Sequence, residues 1–244
     1  MAKYDGYKLS EDHLLQVAGT CSTAAAKAPT LTGKLGLKLA VITGEDLMPA
    51  IEFMEGVART AVFLAADALG YRKMLEQNPN APVLLLGADM TKPIGWNCGG
   101  CGFTTCAEFS KYIRKNKDVL FGGPSCLWKM IDLGIAADYA CAAAARQRVE
   151  ARIQVSFGMM WRAIGSPGLE GSSMILSLPL GQVGSSIWFD RKYSEQILEP
   201  DRVASMMKLG SPSLWLGFSG TGQSLLKTKQ RWWEDPDFLT TKKE

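Results

Sequence analysis

The chain has 244 residues, of which 47% are hydrophobic and 21% charged, which is the composition of an ordinary globular protein. Its 27 Lys and Arg residues nearly balance its 24 Asp and Glu residues, and a net charge of +3 is too small to indicate nucleic-acid binding. Since His13 is the single histidine, histidine-rich metal sites are excluded, and so is Ser-His-Asp hydrolysis unless His13 is the base.

The first ninety residues alternate between predicted helices and strands. The first helix is predicted from acidic residues near its start, an apolar stripe at helical spacing, and Pro29 at its end. Two short apolar runs predict buried strands, and Asn78-Pro79-Asn80 ends the helix before the second one. The predicted elements are a helix over Leu9–Ala28, a strand over Leu37–Ile42, helices over Leu47–Gly56 and Ala58–Glu76, and a strand over Val83–Gly87.

Four of the six cysteines lie in the segment that follows the second strand. Cys98, Cys101, Cys106 and Cys126 have the spacing C-x2-C-x4-C-x19-C. Thiolates are the preferred ligands of iron–sulfur clusters, and four of them hold a cubane. The glycines between the first three cysteines let the backbone fold closely around such a group. The segment therefore predicts a 4Fe–4S cluster with these four ligands, and a short helix over Ala107–Lys115.

Zinc, disulfide bonds and inert buried thiols are the alternatives for these cysteines. Structural zinc sites commonly pair two C-x2-C knuckles or combine Cys with His, whereas this spacing is asymmetric and has no histidine nearby. The polar start of the chain predicts no signal peptide, and no apolar run approaches the roughly 20 residues of a membrane span. We therefore expect a cytoplasmic protein with reduced thiols, which favours the cluster and leaves zinc open.

The second half of the chain predicts a long alanine-rich helix and fewer strands. The predicted elements are a helix over Leu127–Arg148, a continuing or broken helix over Val149–Trp161, strands over Met174–Pro179 and Ser186–Phe189, and a helix over Glu195–Met207. From Gly210 onward the chain is rich in Gly, Ser and Trp, and it predicts an arm that packs on its own domain or on a second subunit. We expect one α+β domain over 1–209, an iron–sulfur module inserted over 95–130, and the arm over 210–244.

Three further residues have two possible roles each. Cys141 lies in the alanine-rich helix and is expected to be a core thiol. Cys21 is either a second core thiol or a redox-active one whose pKa is lowered by Lys27. Asp132 follows Cys126 closely, and we expect either a structural role or a role in capping the helix or orienting cluster ligands.

The cysteine segment resembles a known iron–sulfur module of the type C-G-x-C-G-x-x-x-C…C. That module occurs in the corrinoid iron–sulfur protein and in a subunit of an electron-transport complex, and the resemblance implies one 4Fe–4S cluster held by the same four cysteines. Together with other landmarks, the segment resembles a family of bacterial and archaeal proteins described only as containing a ferredoxin domain. The landmarks are Ala28-Pro29, Val41–Glu45, Ile131–Ala136 and Phe189–Arg191.

Some landmarks also resemble the flavin-dependent nitroreductases. They are Ala28-Pro29, Thr43-Gly44-Glu45, Asp132–Ala136, Pro179-Leu180-Gly181 and Arg191. The resemblance implies a three-layer domain in which the iron–sulfur loop is inserted, with FMN at a dimer interface. Lys27 and Arg191 would hold the flavin phosphate, because that anion needs cationic or N–H partners.

These features predict an iron–sulfur redox protein of an anaerobic type. It would be an electron-transfer protein or an oxidoreductase subunit that uses one 4Fe–4S cluster, with or without FMN, and the sequence leaves open whether it is an enzyme. The alternative is a non-catalytic cluster-binding or sensing module that docks on a larger enzyme complex. The expected partners are a redox protein and a second copy of the chain, with no nucleic acid and no membrane.

Overall fold

A computed structural model describes residues 3–58, 63–115 and 124–181 of the chain. Its helices are α1 (Gly6–Lys27), α2 (Met48–Ala58), α3 (Phe63–Gln77), α4 (Cys106–Lys115), α5 (Leu127–Arg146) and α6 (Ser156–Ile164). Its strands are β1 (Lys38–Thr43), β2 (Pro82–Ala88) and β3 (Met174–Pro179), and a 3-10 turn over Gly44–Leu47 leads into α2.

The strands form one antiparallel sheet with β2 in the centre. Lys38 of β1 pairs with Gly87, and Met174 of β3 pairs with Ala88. Every residue of β2 is buried. Because successive side chains of a strand point to opposite faces, a strand buried along its whole length must have a packed layer on each side.

Two hydrophobic cores occupy the two faces of the sheet. Val83 and Leu85 belong to the core formed with α2, α3 and α6, where Tyr71 stacks on Phe157 with ring centroids 3.7 Å apart. Leu84 and Leu86 belong to the core formed with α1 and α5. The predicted α+β class and three-layer arrangement are therefore confirmed for the described residues.

Of the two alternatives for Val149–Trp161, a continuing or a broken helix, the continuing helix is wrong, because α5 ends at Arg146 and α6 begins only at Ser156. Helix α5 ends in a Schellman motif, in which the N–H of Val149 donates to the Ala144 carbonyl (3.1 Å) and the N–H of Arg148 to the Ala145 carbonyl (3.0 Å). Arg148 has a φ of 60°, in the left-handed region that stops a helix. The following residues run beside β3 instead, with isolated bridges from Ala151 to Leu180 and from Gln154 to Ser177.

The remaining boundaries are close to the predicted ones, and some predictions fall outside the described residues. Helix α1 begins earlier than expected, because the Asp5 carboxylate accepts from the N–H groups of Tyr7 (2.8 Å) and Lys8 (3.3 Å). The strand predicted over 186–189, the helix over 195–207 and the arm over 210–244 lie outside the described residues. Among the helices of the described part, none is long and apolar enough to cross a membrane.

Candidate cluster site

The segment between β2 and α5 brings the four predicted ligands to one small pocket. Cys98 is exposed, Cys101 and Cys106 are half-buried, and Cys126 is buried. The pocket wall is otherwise mostly apolar. Its lining residues are Pro93, Ile94, Asn97, Cys98, Gly99, Cys101, Phe103, Cys106, Cys126 and Leu127. One face of the cysteine group is therefore shielded by the protein, and the Cys98 side faces solvent.

Cys106 is held at the N-terminus of α4 by a capping box. The Thr105 hydroxyl accepts from the Glu108 N–H (3.2 Å), and the Glu108 carboxylate accepts from the Thr105 N–H (3.3 Å). Asn97 adds a second pair of contacts, because its side-chain carbonyl accepts from the Cys106 N–H (2.8 Å) and its own N–H donates to the Cys106 sulfur (3.4 Å). The sulfur is therefore placed at the N-terminal, positive end of a helix dipole.

Cys126 occupies the N-cap position of α5, so a second helix N-terminus reaches the pocket. Its N–H donates to the Met90 carbonyl (2.9 Å), and the Met90 N–H donates to the Ser173 hydroxyl (2.8 Å). Ser173 directly precedes β3, so these two bonds connect the fourth ligand to the sheet. The cysteine with the least solvent contact is therefore connected to the sheet through its own backbone.

Cys98 receives hydrogen bonds from two N–H groups. The Gly100 backbone and the Trp128 indole, whose Nε1 lies 3.2 Å from the Cys98 sulfur, lower the pKa of this thiol. Gly100 also approaches its neighbours closely, because a Cβ there would lie 2.9 Å from Leu127 Cδ2 and 3.6 Å from the sulfur. A side chain at this position would therefore displace the end of the Leu127 side chain.

The donor set suits an iron–sulfur cluster in its chemistry. Four thiols around one pocket are the ligand set of a cubane, and N–H groups directed at sulfur stabilise the negative charge of such a group. Within the described residues, no three Cys, His, Asp or Glu side chains are arranged to hold a single metal ion.

Two lysines fix the loop that leads to the cysteines. The Lys34 ammonium donates to the Ile94 carbonyl (3.0 Å), and the Lys129 ammonium donates to the Asp89 carbonyl (3.0 Å). Lys129 is buried, and burial lowers the pKa of its amine. A buried cation one helical turn after Cys126 adds to the positive potential that an anionic cluster requires.

Asp132 has the structural role and does not cap α5. Asp132 lies within α5, past its first turn, and its side chain is fully buried. One carboxylate oxygen accepts from the Leu31 N–H (2.6 Å) and the other from the Thr32 hydroxyl (2.7 Å). These bonds join α5 to the loop after α1. The expectation that Asp132 caps the helix is therefore wrong, since Cys126 occupies the N-cap position.

Cys21 and Cys141 lie in the core between α1 and α5, away from the pocket. Burial raises the pKa of each thiol to about 11. A reactive cysteine needs the opposite shift, so the hypothesis of a redox-active Cys21 with a pKa lowered by Lys27 is wrong.

We predict that Cys21 and Cys141 resist alkylation in the folded protein. With a pKa of about 11, roughly one such thiol in a thousand is ionised at pH 8, and labelling should increase as the pH rises toward 11. Iodoacetamide labelling followed by peptide mass spectrometry tests this, with the urea-denatured protein as the control in which both thiols react. Equal labelling rates for Cys21 in the folded and denatured protein at pH 8 would contradict it.

The residues predicted to hold a flavin phosphate are not tested by this structure. Lys27 is exposed as the last residue of α1, and Arg191 lies outside the described residues. His13 is exposed on α1, where its ring nitrogen lies 3.1 Å from the Gln16 side-chain oxygen.

Sequence reasoning missed four residues that position the cysteines. Thr105 and Glu108 carry the T-x-x-E spacing of a capping box, a signal that was available. Asn97 precedes Cys98 directly, and its φ of 51° is one that asparagine tolerates better than most residues. Nothing in the sequence indicates the contact of Trp128 with Cys98, because the two residues meet only through the folding of the loop onto α5.

Comparisons with known proteins give two kinds of similarity. A family model described as "uncharacterized protein containing a ferredoxin domain" matches residues 122–191. An uncharacterized protein from Archaeoglobus fulgidus is 31% identical over 169 residues, which cover 69% of this chain and 86% of that protein.

Among solved structures, the chain is similar to nitroreductases and to a flavin reductase. The nitroreductase CinD from Lactococcus lactis in complex with nicotinic acid has a TM-score of 0.46 and 15% identity, over 70% of this chain and 80% of that one. A nitroreductase with bound FMN from Desulfitobacterium hafniense has a TM-score of 0.39 and 16% identity, over 70% and 79%. The NADPH:FMN oxidoreductase from Vibrio harveyi complexed with NAD+ has a TM-score of 0.38 and 15% identity, over 86% and 83%.

The identity to the archaeal protein extends over most of both chains, and the family model matches Cys126 and helix α5. The chain belongs to the family of uncharacterized proteins that contain a ferredoxin domain.

Proposed function

We propose that this protein is a redox protein in which Cys98, Cys101, Cys106 and Cys126 hold one 4Fe–4S cluster. The observation that supports it best is that all four cysteines line one pocket, although the last is twenty residues from the third. Such a cluster, when bound, supplies the capacity to accept and release single electrons.

The chain itself supplies the charge environment that this chemistry requires. An all-thiolate cluster site carries net negative charge, and two helix N-termini, at Cys106 and Cys126, face the pocket. The backbone N–H groups of Gly100 and Asn97 and the indole N–H of Trp128 are directed at cysteine sulfurs. Each of these groups favours the more negative, reduced state of the site.

The geometry also supports exchange of electrons with a partner protein. Cys98 is exposed, and Trp96 beside it is 51% exposed, so a redox partner has direct access to this corner of the site. Cys126 lies against the protein interior, which keeps water away from the opposite corner. We propose one-electron transfer to a partner docked at the Cys98 side, in a dimeric protein.

FMN binding stays a prediction, and analysis of the purified protein for released flavin tests it. Lys27 stands at the C-terminal end of α1, where the helix dipole is negative, so this residue alone gives a poor phosphate site. Flavin released on boiling would favour an enzyme, and its absence beside an intact cluster would favour a cluster-binding module that docks on a larger complex.

Anaerobic purification with metal and sulfide analysis tests the proposed function. We expect about four irons and four inorganic sulfides per chain, and broad visible absorption that dithionite bleaches. A colourless protein that contains stoichiometric zinc, or no metal after reconstitution with iron and sulfide, would refute the cluster.

A further inference from the structure

Trp128 is the second residue of α5, and its indole is held between the cysteine loop and a second indole. Its Nε1–H donates to the Cys98 sulfur at 3.2 Å. Its ring meets that of Trp96 edge to face, with centroids 5.8 Å apart and an interplanar angle of 63°. Because the helix and Trp96 both restrain the ring, the N–H stays directed at the sulfur without a large entropic cost.

We propose that Trp128 is a positioning residue that raises the reduction potential of the cluster through this hydrogen bond. The proposal rests on the proposed function, since it assumes that Cys98 is a cluster ligand. Reduction adds one electron, supplied by a partner or by a chemical reductant, and the negative charge on the ligand sulfurs increases. A hydrogen bond to a more negative acceptor is stronger, so the indole N–H stabilises the reduced state more than the oxidised state.

Because Cys98 is exposed, the strength of the Trp128–Cys98 hydrogen bond can change when a partner docks. Cys126 is buried, and its backbone N–H donates to the Met90 carbonyl. Cys98, in contrast, is exposed, so its surroundings change when a partner covers it. Removing water from around a charge-assisted hydrogen bond strengthens it. Docking at this corner would therefore raise the potential further and favour electron transfer into the cluster.

The test is a redox titration of the Trp128→Phe variant, followed by the electron paramagnetic resonance signal of the reduced cluster. Phenylalanine keeps an aromatic ring beside Trp96 and removes the N–H donor. We expect the equilibrium between reduced and oxidised cluster to shift about tenfold toward the oxidised form, a decrease in midpoint potential of about 59 mV for one electron. The matched control is Trp96→Phe, which alters the same aromatic pair and keeps the donor, and its potential should equal that of the parent.

Iron and sulfide content separates the failure of this proposal from the failure of the proposed function. If the parent protein binds no cluster, the proposed function itself is refuted. If Trp128→Phe keeps a full cluster with the parental potential, or if Trp96→Phe shifts the potential equally, the role of the hydrogen bond is refuted. Should the phenylalanine variant fail to fold, benzothienylalanine at position 128 replaces the N–H with sulfur in a ring of the same shape, and the same decrease is expected.

Discussion

The Cys126→Ser variant should lose its iron and inorganic sulfide while it keeps its fold. Cys126 is the N-cap of α5, and serine is among the preferred residues at that position, so the helix keeps or gains stability. The bond from the residue 126 N–H to the Met90 carbonyl does not depend on the side chain. The substitution therefore removes a soft thiolate ligand from the site and leaves its surroundings in place.

The expected result is iron and sulfide at the level of a buffer blank, with an unchanged far-ultraviolet circular dichroism spectrum. Loss of one iron per chain, with three retained, would equally support the ligand assignment, because only one corner of the cluster has lost its thiolate. The matched control is Cys141→Ser, a change of the same atoms at a half-buried position on the same helix, and it should keep the full iron content. Full iron in the Cys126 variant, or equal loss in the Cys141 variant, would contradict the assignment.

The Gly158→Ala variant should lose about 3 kcal/mol or more of the free energy of unfolding. Gly158 lies in α6, where a Cβ would be 2.1 Å from the carbonyl oxygen and 2.6 Å from the carbonyl carbon of Ile175. Those atoms belong to the backbone of β3, which is hydrogen-bonded to β2 and cannot move without breaking the sheet. The added methyl group must therefore push the helix away from the core that contains Phe157 and Trp161.

Urea denaturation at matched iron content measures this effect, and Gly134→Ala is the control. Gly134 is also a helical glycine, in α5, but a Cβ there has no atom within 4 Å. Alanine at that position should leave stability unchanged or increase it by up to about 1 kcal/mol, since alanine favours the helix. A loss for Gly158→Ala no larger than the change for Gly134→Ala would show that α6 does not pack against β3 as closely as described.

The three described strands could be predicted because each carries a local signal. Strand β2 is a run of apolar residues between turn residues, and such a run is buried on both faces wherever it lies in a sheet. The β3 prediction, Met174–Pro179, has the observed bounds. Which strands pair is a non-local matter, because β2 lies between partners that are far from it along the chain.

Helix ends were predicted less well where a single residue adopts an unusual backbone conformation. Val149–Trp161 has ordinary helical composition, and Arg148 is not a residue that usually stops a helix. The left-handed conformation of Arg148 is stabilised by the hydrogen bonds from the Arg148 and Val149 N–H groups to carbonyls of α5. The chain beyond it is held by the pairing of Gln154 with Ser177 of β3, through two backbone hydrogen bonds of 2.8 and 2.9 Å. That pairing depends on a strand more than twenty residues away.

By itself, the sequence determined the α+β class, the cysteine spacing and the glycine loop between the first three ligands, because these depend on residue type and short-range order. Only the tertiary structure decided what surrounds the sulfurs. Cys126 reaches the pocket because α5 packs against α1 and β2, and Trp128 meets Cys98 because the loop folds back onto that helix. It also decided that Cys21 is buried and that its thiol has a raised pKa, because burial depends on packing between helices distant in the chain.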